Sequence, residues 1–266
     1  MRVWAAANQK GGVGKTTTAV SLAGLLSREG KTVLLVDMDP HGSMTAYFKY
    51  DPDTQSPSVY HLFQTPAIPV HEIMLDTSVE GIKLLPAATA LATLDRQLGA
   101  QEGKGLVLQR ALAPYFDQFD YCIIDCPPLL GILMVNALAA ASQLLVPVQT
   151  EFLALKGLER MLHTLKMVLR ARKQPLDYTI IPTMFDRRTR AAIECLRQLR
   201  EQYADKVWQQ VIPVDTQFRE ASRKGLPISH VAASSRGAKA YQALLADLQG
   251  EQPAAVQAAL HVVGQD

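Results

Sequence analysis

Cysteine is scarce in this chain of 266 residues. The three present, Cys122, Cys126 and Cys195, are too few and too scattered for a disulfide framework. That excludes a small, disulfide-stapled secreted fold. Long apolar runs are missing too. No stretch reaches the roughly 18 residues that mark a membrane-spanning helix. Arg2 leads directly into strand-like sequence, without the pattern of a signal peptide. A cytoplasmic chain is therefore expected. No internal repeat or low-complexity tract stands out, and the net charge is only +2.

What remains is ample apolar material. Hydrophobic residues make up 48% of the chain, enough to fill a sizeable core. The length fits one large α/β domain and would also allow two. One domain over residues 1–250, with a tail at 251–266, is the expected organisation. Strands are expected near 2–8, 32–37, 82–86, 120–125, 143–148, 178–184 and 207–212. Helices are expected near 15–28, 88–99, 104–115, 131–141, 153–171, 188–203, 216–223 and 235–249. Val33-Leu34-Leu35-Val36 and Cys122-Ile123-Ile124 are continuous apolar runs, as strands covered on both faces require. The alternation predicts a doubly wound, mostly parallel sheet flanked by helices, with its site at the carboxyl ends of the strands. Residues 50–80 carry Pro52, Pro57, Pro66 and Pro69 and read as a surface excursion with short helices.

The most informative segment is Lys10-Gly11-Gly12-Val13-Gly14-Lys15-Thr16-Thr17. It follows the strand-like Val3–Ala7 and precedes the helical spacing of Ala19–Leu26. A strand, a glycine-rich turn and a helix N-terminus gather backbone N–H groups and a helix dipole around an anion. Lys15 would reach the β- and γ-phosphates of a nucleotide, and the Thr16 hydroxyl would sit on Mg²⁺. The usual P-loop opens with Gly five residues before the Gly-Lys pair; here Gln9 stands there, and Lys10 opens the loop.

Two further segments carry carboxylates. In Val36-Asp37-Met38-Asp39-Pro40-His41-Gly42-Ser43 the two Asp residues are two apart on a strand and share one face. Tyr121-Cys122-Ile123-Ile124-Asp125-Cys126-Pro127-Pro128 is an apolar strand ending in Asp, the Walker B arrangement, whose carboxylate holds Mg²⁺. Cys122 and Cys126 lie too far apart on a strand and its exit to share a metal; they read as small packed hydrophobes.

Together these segments resemble the ParA branch of the ParA/MinD superfamily of dimeric, P-loop NTPase-like ATPases with a deviant Walker A motif. The resemblance runs from residue 1 to about 248. It implies ATP and Mg²⁺ as cofactors. It places ATP on Lys10, Gly11, Gly12, Val13, Gly14, Lys15, Thr16 and Thr17, with Lys10 reaching the partner subunit's nucleotide in an ATP-bound homodimer. It assigns Asp39 to orienting the attacking water, Thr16, Asp37 and Asp125 to the magnesium shell, and Met184 and Pro213 to framing adenine. Lys10, Lys15 and Asp39 are thus the expected catalytic set. The family's Asp-x-Asp-Pro-Gln-Gly-Asn pattern is altered here, where His41 and Ser43 replace Gln and Asn. His41 reads as a general base or as a turn residue at a dimer or partner surface.

Charge is unevenly spread. Residues 1–150 carry 10 Lys+Arg against 13 Asp+Glu, which is −3, and residues 151–250 carry 17 against 10, which is +7. Such asymmetry fits either an anionic partner, nucleic acid first, or solvated helix faces. ParA-type ATPases bind DNA without sequence preference. The resemblance therefore makes Arg187, Arg188, Arg190, Arg219, Arg223 and Lys224 candidate phosphate contacts, with Arg170, Arg172 and Lys173 behind them. Where the family often shows Pro-Arg-Asn, Pro213 is followed by Val214-Asp215. The function implied is an ATP-driven positioning switch, nucleoid-associated or polar, reset by a ParB-like or other activating partner. Its cargo would be DNA or a protein cluster, chemotaxis arrays among them. The absence of a helix-turn-helix extension sets aside autorepression. A MinD-like membrane switch is the alternative, yet the segment Ala254–Val263 has no Lys or Arg. A third class, a reductase bridging a cluster between subunits, lacks a second cysteine in the 80–115 region.

Overall fold

The computed structural model describes residues 1–98, 103–169 and 176–250. The strands are β1 (Arg2–Ala6), β2 (Val33–Asp37), β3 (Leu75–Asp76), β4 (Ile82–Leu85), β5 (Tyr121–Asp125), β6 (Gln143–Gln149) and β7 (Asp177–Thr183). They form one sheet in the order β3-β4-β2-β5-β1-β6-β7. Every neighbouring pair is parallel except β3 with β4. The longer helices are α1 (Lys15–Arg28), α6 (Ile132–Ala140), α7 (Phe152–Leu169), α8 (Arg190–Gln202), α9 (Gln217–Lys224) and α11 (Arg236–Gln249). Between them lie α2 (Ser43–Tyr47), α3 (Val70–Ile73), α4 (Leu94–Leu98), α5 (Val107–Leu112) and α10 (Ile228–Val231).

Strand alternation divides the core into two layers. Trp4, Val33, Leu35, Ile123, Leu145 and Ile181 pack on one face with Ala19, Leu22 and Leu26 of α1 and Tyr241, Leu244 and Leu245 of α11. Val3, Ala5, Leu34, Val36, Cys122, Ile124 and Val146 pack on the other, against apolar residues of α4 to α8. Both faces are covered, which explains why β2 and β5 read as unbroken apolar runs.

Three expectations change. The strand expected at 207–212 is reduced to isolated bridges at Ile180–Val207 and Phe185–Pro213. Pro182 in β7 has no N–H to donate, so the ladder cannot continue between them. Residues 50–80 are not merely a surface excursion: Val59, Leu62, Phe63, Val70 and Ile73 are buried in the main core. The helices expected at 88–99 and 104–115 are broken into short 3-10 and α segments. Residue 99, residues 170–171 of the expected 153–171 helix, Arg170, Arg172, Lys173 and the tail lie outside the described residues. Among the described residues no helix is long and apolar enough to cross a membrane.

Candidate nucleotide-binding site

The strands β2, β5 and β1 lie side by side and end at one edge of the sheet. That edge brings Asp37, Asp125 and the glycine turn together from three distant parts of the chain. In register, Asp37 stands beside Asp125.

The turn from β1 to α1 needs its glycines. Gly12 has φ 74° and Gly14 φ 98°, a region that side chains disfavour. A Cβ added at Gly11, Gly12 or Gly14 would meet nothing within 4 Å, so the concave side of the loop is open space. Gly14 caps α1 without any side-chain hydrogen bond, leaving the first N–H groups of the helix to an incoming anion. Lys15 is buried at the floor of this space, 8% exposed. A cavity of about 450 Å³ here is lined by Gly11, Gly12, Gly14, Lys15, Thr16, Thr17, Asp39 and His41, among others. Thr183 in β7 steadies the loop by donating to the Val13 carbonyl at 2.8 Å.

The carboxylates have different tasks. Asp125 accepts the Thr16 hydroxyl on Oδ2, while its Oδ1 is buried with no hydrogen-bond partner among the described residues. A buried, unpartnered carboxylate oxygen is costly unless something else occupies it. Burial pushes the Asp125 carboxyl well up from its usual range, and the neighbouring Asp37 charge pushes it further. Burial raises Asp37 as well. A divalent cation beside Asp125 would relieve both effects. A hydroxyl and one carboxylate fit Mg²⁺, which keeps waters and phosphate oxygens for the rest of its shell.

Asp37 is engaged inside the protein. Its Oδ1 accepts the Asp39 backbone N–H at 3.2 Å. Its Oδ2 accepts the Thr45 backbone N–H at 2.8 Å and the Thr45 hydroxyl at 2.7 Å. The Thr45 oxygen in turn accepts the Ala87 N–H at 2.8 Å. Asp37 thereby fixes the turn that carries Asp39. Asp39 Oδ1 accepts the His41 backbone N–H at 3.0 Å and lies 2.9 Å from the His41 ring Nδ1.

Lys10 is paired with residues at the end of β6 and just beyond it. Its ammonium donates to Gln149 Oε1 at 3.2 Å and forms an ion pair with Glu151. Asn8 shapes the approach, donating to the Pro147 carbonyl at 2.7 Å and accepting the Lys10 N–H at 2.9 Å.

A second, adjoining cavity of about 650 Å³ is lined by Val13, Gly14, Thr17, Met184, Pro213, Phe218 and Tyr241. Met184 and Pro213, expected at the base, thus meet beside the glycine turn. Met184 has φ 52° and is partly exposed.

With this geometry in place, comparison with known proteins is decisive. Residues 1–178 match the model of an AAA domain family. The chain is 38% identical over 241 residues to the sporulation initiation inhibitor protein Soj of Bacillus subtilis, covering 90% of this chain and 95% of that one. The chain belongs to the ParA/Soj family. A second relative, the chromosome-partitioning ATPase Soj of Treponema pallidum, is 38% identical over 242 residues, 91% of this chain and 94% of that one. Among solved structures, cobyrinic acid a,c-diamide synthase from Mycobacterium smegmatis with a bound ATP analogue and magnesium superimposes with a TM-score of 0.80. It is 36% identical and covers 94% of this chain and 96% of that one. The ParA/Soj identity accounts for the architecture: a mostly parallel, helix-flanked P-loop ATPase sheet.

The basic candidates of this ParA/Soj chain fall in separate places. Arg187 and Arg188 follow β7, Arg190 opens α8, and all three are exposed. Arg188 is held by Asp186 and Arg223 by Glu220. Among the described residues Arg187, Arg190, Arg219 and Lys224 form no ion pair. Arg219 and Arg223 line the second cavity, beside Gly14 and Thr17. Sequence reasoning missed Thr45 as the anchor of Asp37 and Glu151 as the partner of Lys10. Pro147-Val148-Gln149-Thr150-Glu151, at the end of the strand beside β1, also resembles the ParA branch, and that resemblance was the sequence signal that marked the segment.

Proposed function

We propose that this chain binds Mg²⁺ and ATP at the glycine turn, hydrolyses ATP slowly, and uses the cycle as a dimeric positioning switch. The observation that carries the reading is the Thr16–Asp125 pair, with Asp125 Oδ1 unpartnered, directly beneath the open turn and the N-terminus of α1. The backbone N–H groups of the turn and Lys15 hold the phosphates. Thr16 and Asp125 would hold Mg²⁺, with Asp37 adding negative charge beside them. Bound magnesium supplies charge neutralisation for the departing diphosphate. Asp39 orients water toward the γ-phosphorus; the P–O bond to ADP breaks as the water oxygen bonds, giving ADP and phosphate. Such transfer depends on positioning and charge, so no strong base is required. Met184 and Pro213 frame the base.

Dimerisation is supported by the surface around the turn. Leu129 follows β5, and Phe152 and Leu153 open α7 after β6; all three are exposed. These strands flank β1, so the apolar side chains border the turn on both sides. In the dimer Lys10 leaves Glu151 for the nucleotide of the other subunit. The ATP dimer then binds DNA through exposed arginines and is released when a ParB-like partner stimulates hydrolysis. Partition of DNA or of a protein cluster on the nucleoid follows from that cycle.

The test is Lys15→Ala. It should abolish Mg-ATP binding in a titration with a fluorescent ATP analogue, and with it all turnover. Tight Mg-ATP binding by that variant would exclude the glycine turn as the phosphate site.

A further inference from the structure

We propose that His41 is a positioning residue that pins the carboxylate of Asp39 for hydrolysis, a role that rests on Asp39 orienting the attacking water. The terminal torsion of an Asp side chain is broad, so an unrestrained carboxylate swings its two oxygens through a wide arc. Here one oxygen is held twice by the same residue. Asp39 Oδ1 receives the backbone N–H of His41 at 3.0 Å and the imidazole Nδ1 at 2.9 Å. An ionised carboxylate only accepts, so Nδ1 is the nitrogen that carries the proton.

The ring is not placed by packing. The His41 side chain is 79% exposed, whereas that of Asp39 is 11% exposed. The bond to Asp39 is therefore what orders the ring, and reciprocally what orders Oδ1. Asp39 Oδ2 makes no hydrogen bond among the described residues and is left for water. Asp39 and His41 line the cavity that also contains Lys15 and Thr16, where the γ-phosphate would lie. The same two residues also line a third, apolar cavity of about 320 Å³ with Thr89, Pro127, Pro128 and Leu133. The dyad is thus the partition between the phosphate space and the segment that follows β5. A displacement of the water by about 1 Å costs on the order of a hundredfold in rate, so losing one of two restraints should cost a measurable part of that.

The experiment compares His41→Ala, His41→Asn and Asp39→Ala in the full chain. His41→Ala should lower kcat for ATP about tenfold while leaving KM and the affinity for a fluorescent ATP analogue unchanged. His41→Asn places an amide N–H where Nδ1 stands and should restore turnover to within about twofold of the parent. In ¹⁵N-histidine-labelled protein, the His41 signal, identified by its loss in His41→Asn, should show a protonated Nδ1 that disappears in Asp39→Ala. Asp39→Ala should bind ATP with little turnover. An inactive Asp39→Ala beside a fully active His41→Ala overturns the positioning role alone. A fully active Asp39→Ala overturns the water-orienting role and the positioning role with it. Parallel loss of ATP affinity in His41→Ala, or a wild-type ring protonated only on Nε2, also overturns it.

Discussion

Lys10 is the residue of the glycine turn whose ammonium is already paired. It was expected to reach into a partner subunit, and in the single chain it is paired with Glu151 and Gln149. Both side chains of the ion pair are about one-third exposed, at 35% and 39%. An ion pair of that exposure is worth no more than about 1 kcal/mol. It is a weak latch, readily exchanged for a phosphate. Glu151→Gln should therefore tighten ATP-dependent dimerisation by about fivefold at most, and Lys10→Ala should bind ATP yet remain monomeric. Light scattering with ATP and Mg²⁺ measures both. A normal ATP dimer of Lys10→Ala would reduce Lys10 to a loop residue. The loop itself was legible because its chemistry is local: glycines, Lys15 and Thr16 within one octapeptide. Glu151 was not, because it lies 141 residues away and meets Lys10 only once β6 pairs with β1.

Among elements, α1 ties the site to the rest of the fold. Its apolar stripe was readable from spacing, and Lys15–Arg28 has the expected bounds. What spacing did not reveal is that α1 packs against α10, a short helix absent from the sequence reading. A Cβ added at Gly24 would stand 2.2 Å from Pro227 Cβ and 2.8 Å from Ser229 Oγ. Overpacking of that kind costs about 1–3 kcal/mol, against a gain of about 1 kcal/mol from replacing glycine within a helix. Gly24→Ala should lower the melting temperature of the apo protein by several degrees, read by circular dichroism. An unchanged or raised Tm would mean that Pro227 yields freely. The failed strand at 207–212 has a comparable origin. Its apolar pattern was real, but Pro182 in the neighbouring strand removed the donor that pairing needed. At α9 the lesson is about which face a charge occupies. Arg219 and Arg223 supply most of the positive charge of α9, yet they line the cavity beside the glycine turn. Exchanging them would disturb the cavity beside the glycine turn as well as the surface charge, so the two effects could not be told apart.

At the scale of the whole molecule, the +7 charge of residues 151–250 is best probed away from that cavity, at Arg187 and Arg190. Replacing both by Glu should abolish binding to random-sequence duplex while sparing the ATP dimer. Binding by the unaltered chain should require ATP and weaken about a hundredfold or more between about 50 and 200 mM salt. A mobility shift with ATP and with ADP reads this. Salt-insensitive binding, or none at low salt with ATP, would leave the arginines as a solvated face. The alternation of elements made the doubly wound sheet legible; strand order was not, since no local pattern tells β1 which strands will flank it. That order has a consequence for the growing chain. The strand that carries the glycine turn precedes both of its neighbours, β5 and β6, which lie much later in the chain, at residues 121–125 and 143–149. Until those have left the ribosome, β1 has no hydrogen-bonded neighbour on either side, and Asp125 does not yet exist. The nucleotide therefore cannot guide the early part of folding. It meets its site only after β5 and β6 have been made, and the segment between β1 and those strands must be kept from aggregating without its help.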